Sequence, residues 1–438
     1  MLYPLLCLIV LFLSIVLWIY HWKNPRCNGK LPPGSMGLPV VGESFQLFTL
    51  QYLRCFTIHQ KENQQIVVST DTDVNRFIFQ QKGKLVQSWY MDSFDDIVGK
   101  ENVLSSHGFL HKCLRNLILN LFGSESLKEK HVSEMEELTS KHLRSWSCQQ
   151  PSMIYDFTVR KLFGCNNEKL RGCYSAFLDG LISFPLNIPG TAYWKCLQGH
   201  NKAMRVIKIM LEERRGTLTK KQDKDFLDVV LEEMNKAGTI LSEQTALDLL
   251  FALPFAAFES ASSAVVLALQ YLQSNPLALA ELTQEHETIL RERETKGSGI
   301  TWKEYKSMTF THMVIDETIR LGNIVPAIFR KVVKDIEIKG RLDHFGLYTG
   351  SSFEPHEIRG STYVQSMVME GSKFFKGFGS GVRLCASAEF VKLQISIFLH
   401  HFFRNYRWTV MKEGKAVRQP GLVFPDGFHV QILNKKFI

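Results

Sequence analysis

Along most of the chain apolar side chains recur at intervals of three and four, which predicts amphipathic helices near 107–147, 200–216, 225–236, 242–273, 276–294, 302–321 and 387–404. Alternating or β-branched runs are short and few, at 66–69, 331–338, 408–410 and 428–432. The expected fold class is mainly α with a small β-sheet, which excludes a barrel and a doubly wound sheet.

Two apolar runs stand apart from this pattern. Residues 1–20 carry no charged side chain and are followed by His21, Lys23, Arg26 and Lys30. That length spans a bilayer as a helix, and no basic segment precedes it and no small-residue cleavage site follows. An uncleaved transmembrane anchor over 1–20 is expected, and the basic flank leaves the rest of the chain on the cytosolic side. Residues 21–44 read as a basic hinge, stiffened by Leu31-Pro32-Pro33-Gly34 and Pro39, ahead of a body over 45–438. The second run, 242–273, is apolar around most of its circumference and about 48 Å long at 1.5 Å per residue, so it is expected to be buried. Within it, Ala256 and Ala257 precede Glu259, Ser260 and Ser262. A buried acid needs a partner or a cavity beside it, so Glu259 marks either a functional site or a solvated stripe whose serines bond back to the preceding turn. Pro254 is expected to kink this helix.

The chain has 438 residues, of which 45% are hydrophobic and 22% charged, so disordered and collagen-like classes are excluded. Lysine and arginine outnumber acids by 52 to 43, giving a net charge of +9, but the charges are interspersed. With no basic arm or basic-aromatic ladder, the surface suits an acidic protein partner or an anionic membrane, and no nucleic acid is expected. Nine cysteines, with no C-x-x-C pair, argue against zinc and a disulfide framework and for small buried hydrophobes in a reducing compartment.

One cysteine differs. Phe378-Gly379-Ser380-Gly381-Val382-Arg383-Leu384-Cys385 is a glycine-bearing loop running into the helix predicted at 387–404. A helix N-terminus and Arg383 two residues away are expected to lower the thiol pKa and favour the metal-ligating thiolate.

This F-x-x-G-x-R-x-C spacing resembles the haem loop of the cytochrome P450 family. Glu317-Thr318-Ile319-Arg320 is similar to the family's E-x-x-R, where i,i+3 spacing lets the two charges pair. Pro326 with Arg330 resembles a P-x-x-x-R stretch, His111-Lys112-Cys113-Leu114-Arg115 resembles the C-helix motif, and residues 256–260 resemble the oxygen-activation motif. The resemblance implies a P450 fold behind the N-terminal transmembrane helix, and haem b with Cys385 as axial thiolate to iron. It implies that His111, Arg115, Arg330, Phe378 and Arg383 bind the cofactor, the arginines neutralising its propionates, and that Glu259 and Ser260 relay protons. Ser260 stands where threonine is usual. The hinge, the His-Lys-x-Leu-Arg segment and Ser387-Ala388-Glu389 resemble the plant clan of brassinosteroid, abscisic acid and triterpenoid oxidases. A small hydrophobic isoprenoid substrate, an NADPH-cytochrome P450 reductase partner, and a single-pass place in the endoplasmic reticulum membrane follow from that likeness.

The sequence departs from the family at Ser387, where glycine is usual, and in two intervals, 340–378 and 50–66, that are shorter than the family's. Arg359 is the nearest substitute for the third member of the family's Glu-Arg-Arg brace. Two functions fit this pattern: a sterol or triterpenoid monooxygenase, or a membrane-bound pseudoenzyme descended from one.

Overall fold

The computed structural model describes residues 10–18, 57–59, 65–69, 72–145, 168–216, 225–350 and 377–435, apart from positions 91, 100, 124, 126, 182, 184–185, 294, 296, 326, 335, 339–340, 344–345, 415, 420 and 425. The chain divides into two units, one of residues 1–89 and 326–352 and the other of 90–325 and 353–438.

The first unit is built on a sheet. Its elements are β1 (Thr57–His59), β2 (Gln65–Ser69), α1 (Thr72–Gln80), β3 (Val86–Ser88), β4 (Ala327–Val332), β5 (Ile336–Ile338), β6 (Arg341–Asp343) and β7 (Gly346–Gly350). Five strands run in the order β1-β2-β7-β4-β3, with β2 and β7 parallel and the other neighbours antiparallel. A parallel pair cannot be closed by a hairpin, and here the crossover carries most of the second unit's helices. Ile78 of α1, Val86 and Ile336 form the buried centre of this unit. Residues 10–18 are helical, and their apolar side chains, Phe12 and Leu17 among them, are exposed.

The second unit is helical. It contains α2 (Asp92–Val98), α3 (Gly108–Phe122), a π-helical turn (Leu127–His131), α4 (Val132–Ser145), α5 (Glu168–Gly180), α6 (Ala192–Gly216), α7 (Phe226–Met234), α8 (Glu243–Ser274), α9 (Pro276–Glu292), α10 (Trp302–Ser307), α11 (Thr309–Gly322), α12 (Ala388–Asn405) and β8 (Tyr406–Lys412), β9 (Val417–Gln419), β10 (Gly421–Val423) and β11 (His429–Asn434). β8 pairs antiparallel with β11, and β9 with β10. Local sequence explains the helix starts. Ser242 accepts from the Thr245 amide at the head of α8, and capping boxes close α7 at Asp225/Asp228 and α10 at Thr301/Glu304. α5 and α6 pack closely because Gly199 has no side chain; a β-carbon there would stand 2.8 Å from the Cys173 carbonyl oxygen.

The predicted burial of the long apolar run holds. Among the described residues α8 is the one helix long and apolar enough to cross a membrane, but 62% of its most apolar stretch is buried inside the protein, so it is a core helix. It continues through Pro254 to Ser274. α12 is buried from Lys392 to Phe403.

Two expectations need correction. The helix expected over 107–147 is broken, because Gly123 takes an extended conformation (ψ 159°) that ends α3 before the π-helical turn and α4. The strand expected over 331–338 is two strands, β4 and β5, with Val333 and Lys334 turning between them. The interval 340–378, shorter than the family's, carries β6 and β7.

Candidate functional site

The loop from Phe378 to Cys385 is folded by glycine. Gly379 (φ 80°) and Gly381 (φ 66°) occupy left-handed backbone conformations that other residues resist, which lets the chain turn within a few positions. Gly381–Arg383 form a 3-10 turn, and the Cys385 amide donates to the Phe378 carbonyl at 2.9 Å, closing the loop at the start of α12. Phe378 is half-buried, with the Lys392 ammonium 5.5 Å from its ring centre.

Cys385 keeps accessible surface although protein surrounds it. Burial pushes its thiol above the ordinary range, while bonds from the Ser387 backbone and hydroxyl and the charge of Arg115 pull it back. The expectation of a lowered thiol pKa is therefore reversed: desolvation outweighs the Ser387 hydrogen bonds and the nearby charge, and Arg115, not Arg383, is the cation acting on the sulfur. A thiol of this kind gives up its proton on binding a metal, since the ligand form is the thiolate.

The arginines are held by backbone. Arg115, on α3, donates to the Leu384 carbonyl at 2.6 Å and ties that helix to the loop. Arg383 reaches across the unit, donating through Nη1 to the carbonyls of Val103 and Leu104, both at 2.7 Å, and through Nη2 to that of Ser106. Its Nε has no hydrogen-bond partner, and burial pushes its pKa down to about 10. A partly buried guanidinium bonded only by neutral carbonyls, with its Nε unpartnered, suits an anionic carboxylate such as a haem propionate. An accessible sulfur surrounded by protein, on the same loop as such a cation, fits a haem-thiolate group. His111 is buried on α3, its pKa lowered by burial, Arg115 and His107, so it is neutral.

Cys385, Phe378, Arg383 and Arg115 are thus brought to one loop, and His111 shares α3 with Arg115. Arg330 belongs to the other unit, where it is buried on β4, donates to the Phe329 carbonyl at 2.7 Å and lies 5.8 Å from the Phe79 ring centre. Ser260, on α8, donates its hydroxyl to the Ala256 carbonyl at 2.7 Å, the back-bonded arrangement weighed from the sequence. Pro326, Arg359 and the Glu259 side chain lie outside the described residues, as do the hinge over 21–44 and most of 50–66.

The E-x-x-R pair is formed as its spacing demands. Arg320 Nε and Nη2 clasp Glu317 at 2.7 and 2.6 Å, and both side chains are buried. The sequence reading missed a second buried pair on the same helix. Asp316 binds Lys392 at 2.9 Å, joining α11 to α12 beneath Phe378. A lysine on the apolar face of the 387–404 run was the signal that could have found it.

The family model for cytochrome P450 matches residues 174–347. Cytochrome P450 87A3 of Oryza sativa subsp. japonica is 40% identical, over 95% of this chain and 89% of that protein. Cucurbitadienol 11-hydroxylase of Siraitia grosvenorii is 35% identical over 96% of each, and cholesterol 22-monohydroxylase of Paris polyphylla is 32% identical over 98% of each. These alignments span 462, 458 and 470 positions, more than the chain's 438 residues, so each relative carries internal segments absent here. The fold of a retinoic acid-bound cyanobacterial CYP120A1 superposes with a TM-score of 0.80 at 18% identity, covering 93% of this chain and 100% of that one. A cysteine loop braced by two arginines, set in a fold and a sequence shared over nearly its whole length with hydroxylases, makes this chain a plant-type member of the cytochrome P450 family, the haem-thiolate monooxygenases.

Proposed function

We propose that the protein hydroxylates a hydrophobic isoprenoid, a sterol or triterpenoid, with O2 and electrons passed from an NADPH-cytochrome P450 reductase. The observation that carries this reading is the Phe378–Cys385 loop with Arg115 and Arg383 bonded around it. The relatives named as hydroxylases of cucurbitadienol and cholesterol support the substrate class.

In this reading Cys385 would hold the haem iron as its thiolate, and Arg383 and Arg115 would hold the propionates, a role the sequence motif gives Arg330 as well. Bound there, the haem supplies O–O cleavage and oxygen insertion, which a thiolate ligand favours. His111, neutral, offers a hydrogen bond without adding charge beside Arg115. Ser260 and Glu259 move protons along α8. For Ser260 to do so its hydroxyl must swing from the Ala256 carbonyl, a rotation open to serine and more restricted in threonine. Residues 1–20 anchor the chain in the endoplasmic reticulum membrane and 21–44 set the cytosolic body beside it; the exposed apolar side chains of 10–18 support that placement.

A carbon monoxide difference spectrum of the reduced protein tests the ligand. A thiolate-type band, lost in Cys385→Ala, is expected. Turnover of a sterol and a triterpenoid panel with reductase then assigns the class, and product from neither defeats the substrate proposal. Comparing Ser260→Thr with Ser260→Ala tests the relay, which fails if both leave turnover and peroxide release unchanged.

A second reading, a pseudoenzyme, is favoured by the internal segments that the relatives have and this chain lacks. Absence of the thiolate band from correctly folded wild-type protein selects it.

A further inference from the structure

Asn102 is a completely buried amide in the short segment between α2 and α3. Its oxygen accepts from the amides of Leu104 at 2.7 Å and Ser105 at 3.1 Å, and its nitrogen donates to the Gly99 carbonyl and to the Ser105 hydroxyl at 3.3 Å. One side chain therefore bends residues 99–105 around itself, as asparagine does in turns. The bend has two anchored sides. At its base Ser105 donates to Asp95 of α2, while Glu101 accepts from Ser242 at 3.2 Å and from Thr245 at the start of α8. At its crest the carbonyls of Val103, Leu104 and Ser106 point outward, and all three bind Arg383, which lies 277 to 280 residues further along the chain.

Three carbonyls converging on one guanidinium do not arise from a free segment, because each would have to be oriented against its own conformational entropy. The carbonyls take three of the five N–H donors of Arg383, two on Nη1 and one on Nη2, and Nε has no partner. They do not cancel its charge, and a charge buried among neutral dipoles still favours an anion beside it.

We propose that Asn102 is a positioning residue for haem retention: by folding the 101–106 segment it locks the Arg383 guanidinium in one orientation, leaving its Nε donor and its charge for a haem carboxylate. The inference rests on the haem-binding role given to Arg383 above. It predicts that Asn102 acts through Arg383 and not through general stability.

The test is a double-mutant cycle on the haem-loaded protein, read as the rate of haem transfer to excess apomyoglobin and as the haem reduction potential. Leaving buried amides and carbonyls unpaired in Asn102→Ala is expected to speed haem loss about ten-fold. Arg383→Lys, which keeps the charge but cannot span three carbonyls, is expected to do the same. The double variant should lose haem no faster than Arg383→Lys alone, because one interaction has been removed twice. The reduction potential should move in the same direction in both single variants. Should Asn102→Ala fail to load haem, Ser105→Ala, which removes one of the Asn102 bonds, replaces it; a rate increase in the wild-type background and none in Arg383→Lys is expected. Wild-type haem retention in Asn102→Ala, or effects that multiply in the double variant, overturns the proposal. A wild-type protein that takes up no haem defeats the haem reading itself, whereas a normal wild type with a leaky Arg383→Lys and a tight Asn102→Ala defeats only the role of Asn102.

Discussion

Two arginines of the second unit are satisfied in opposite ways. Arg320 meets Glu317 three residues away on the same helix, so helix geometry alone delivers a bidentate, charge-neutral pair. Arg383 meets only carbonyls, presented by a segment nearly 280 residues distant, and its charge has no carboxylate beside it among the described residues. The first arrangement is complete within the protein and braces structure. The second is poised for a partner, and the difference shows why the same residue type reads as scaffold on α11 and as ligand-holder in the loop.

The largest expected effect comes from breaking the complete pair. Glu317→Gln leaves a buried arginine without the carboxylate it clasps, and urea unfolding should register a loss of about 3–5 kcal/mol. Arg383→Gln, by contrast, should cost the haem-free protein only about 1–3 kcal/mol, as neutral acceptors are left behind, while haem uptake fails. Equal losses in the haem-free state would erase the contrast between the two sites. Next, Lys392→Met takes the cation away from the buried Asp316 between α11 and α12 and should lower stability by about 3 kcal/mol. It should also loosen Phe378, seen as broader resonances from its ring.

Titration sharpens the comparison further, because buried groups of opposite type pull stability in opposite directions. Burial pushes His286 down to about 4 and His400 down to about 2, so both are neutral in the fold. Below 6.5 the unfolded chain takes up protons that these side chains refuse, and stability falls as the pH drops from there through 4. Asp248, beside Gly99 at the head of α8, is pushed up to about 6, first by burial and then by Glu101. Its carboxyl stays protonated where the unfolded chain has already released its proton near 3.8, so its contribution is lost as the pH rises from there through 6. Asp248→Asn should therefore remove a decline of about 1 kcal/mol between pH 5 and pH 6, measured by urea unfolding at each pH. An unchanged slope would mean that Asp248 is ionised in the fold. The smallest effect is expected from Ser387→Gly. Withdrawing a hydroxyl donor from the Cys385 sulfur should lower the haem reduction potential slightly, because the thiolate then donates more strongly.

Contiguous motifs were legible because short chain segments impose their own geometry. Three-residue spacing on a helix pairs Glu317 with Arg320, glycines at 379 and 381 turn the cysteine loop, and an unbroken apolar run buries α8. The break at Gly123 and the division of 331–338 were not legible, since an extended glycine and a two-residue turn barely disturb a hydrophobic period. Nor was the thiol: proximity in sequence pointed to Arg383, while packing brought Arg115 to the sulfur.

By itself, the sequence determined the helical class, the long core helix, the cysteine loop and the family, because each depends on periodicity or on residues within a few positions of one another. Only the tertiary structure decided which carbonyls Arg383 binds, how Asn102 folds the segment that supplies them, and that burial raises rather than lowers the Cys385 pKa. Those depend on desolvation and on contacts between segments hundreds of residues apart, and neither quantity is carried by local spacing.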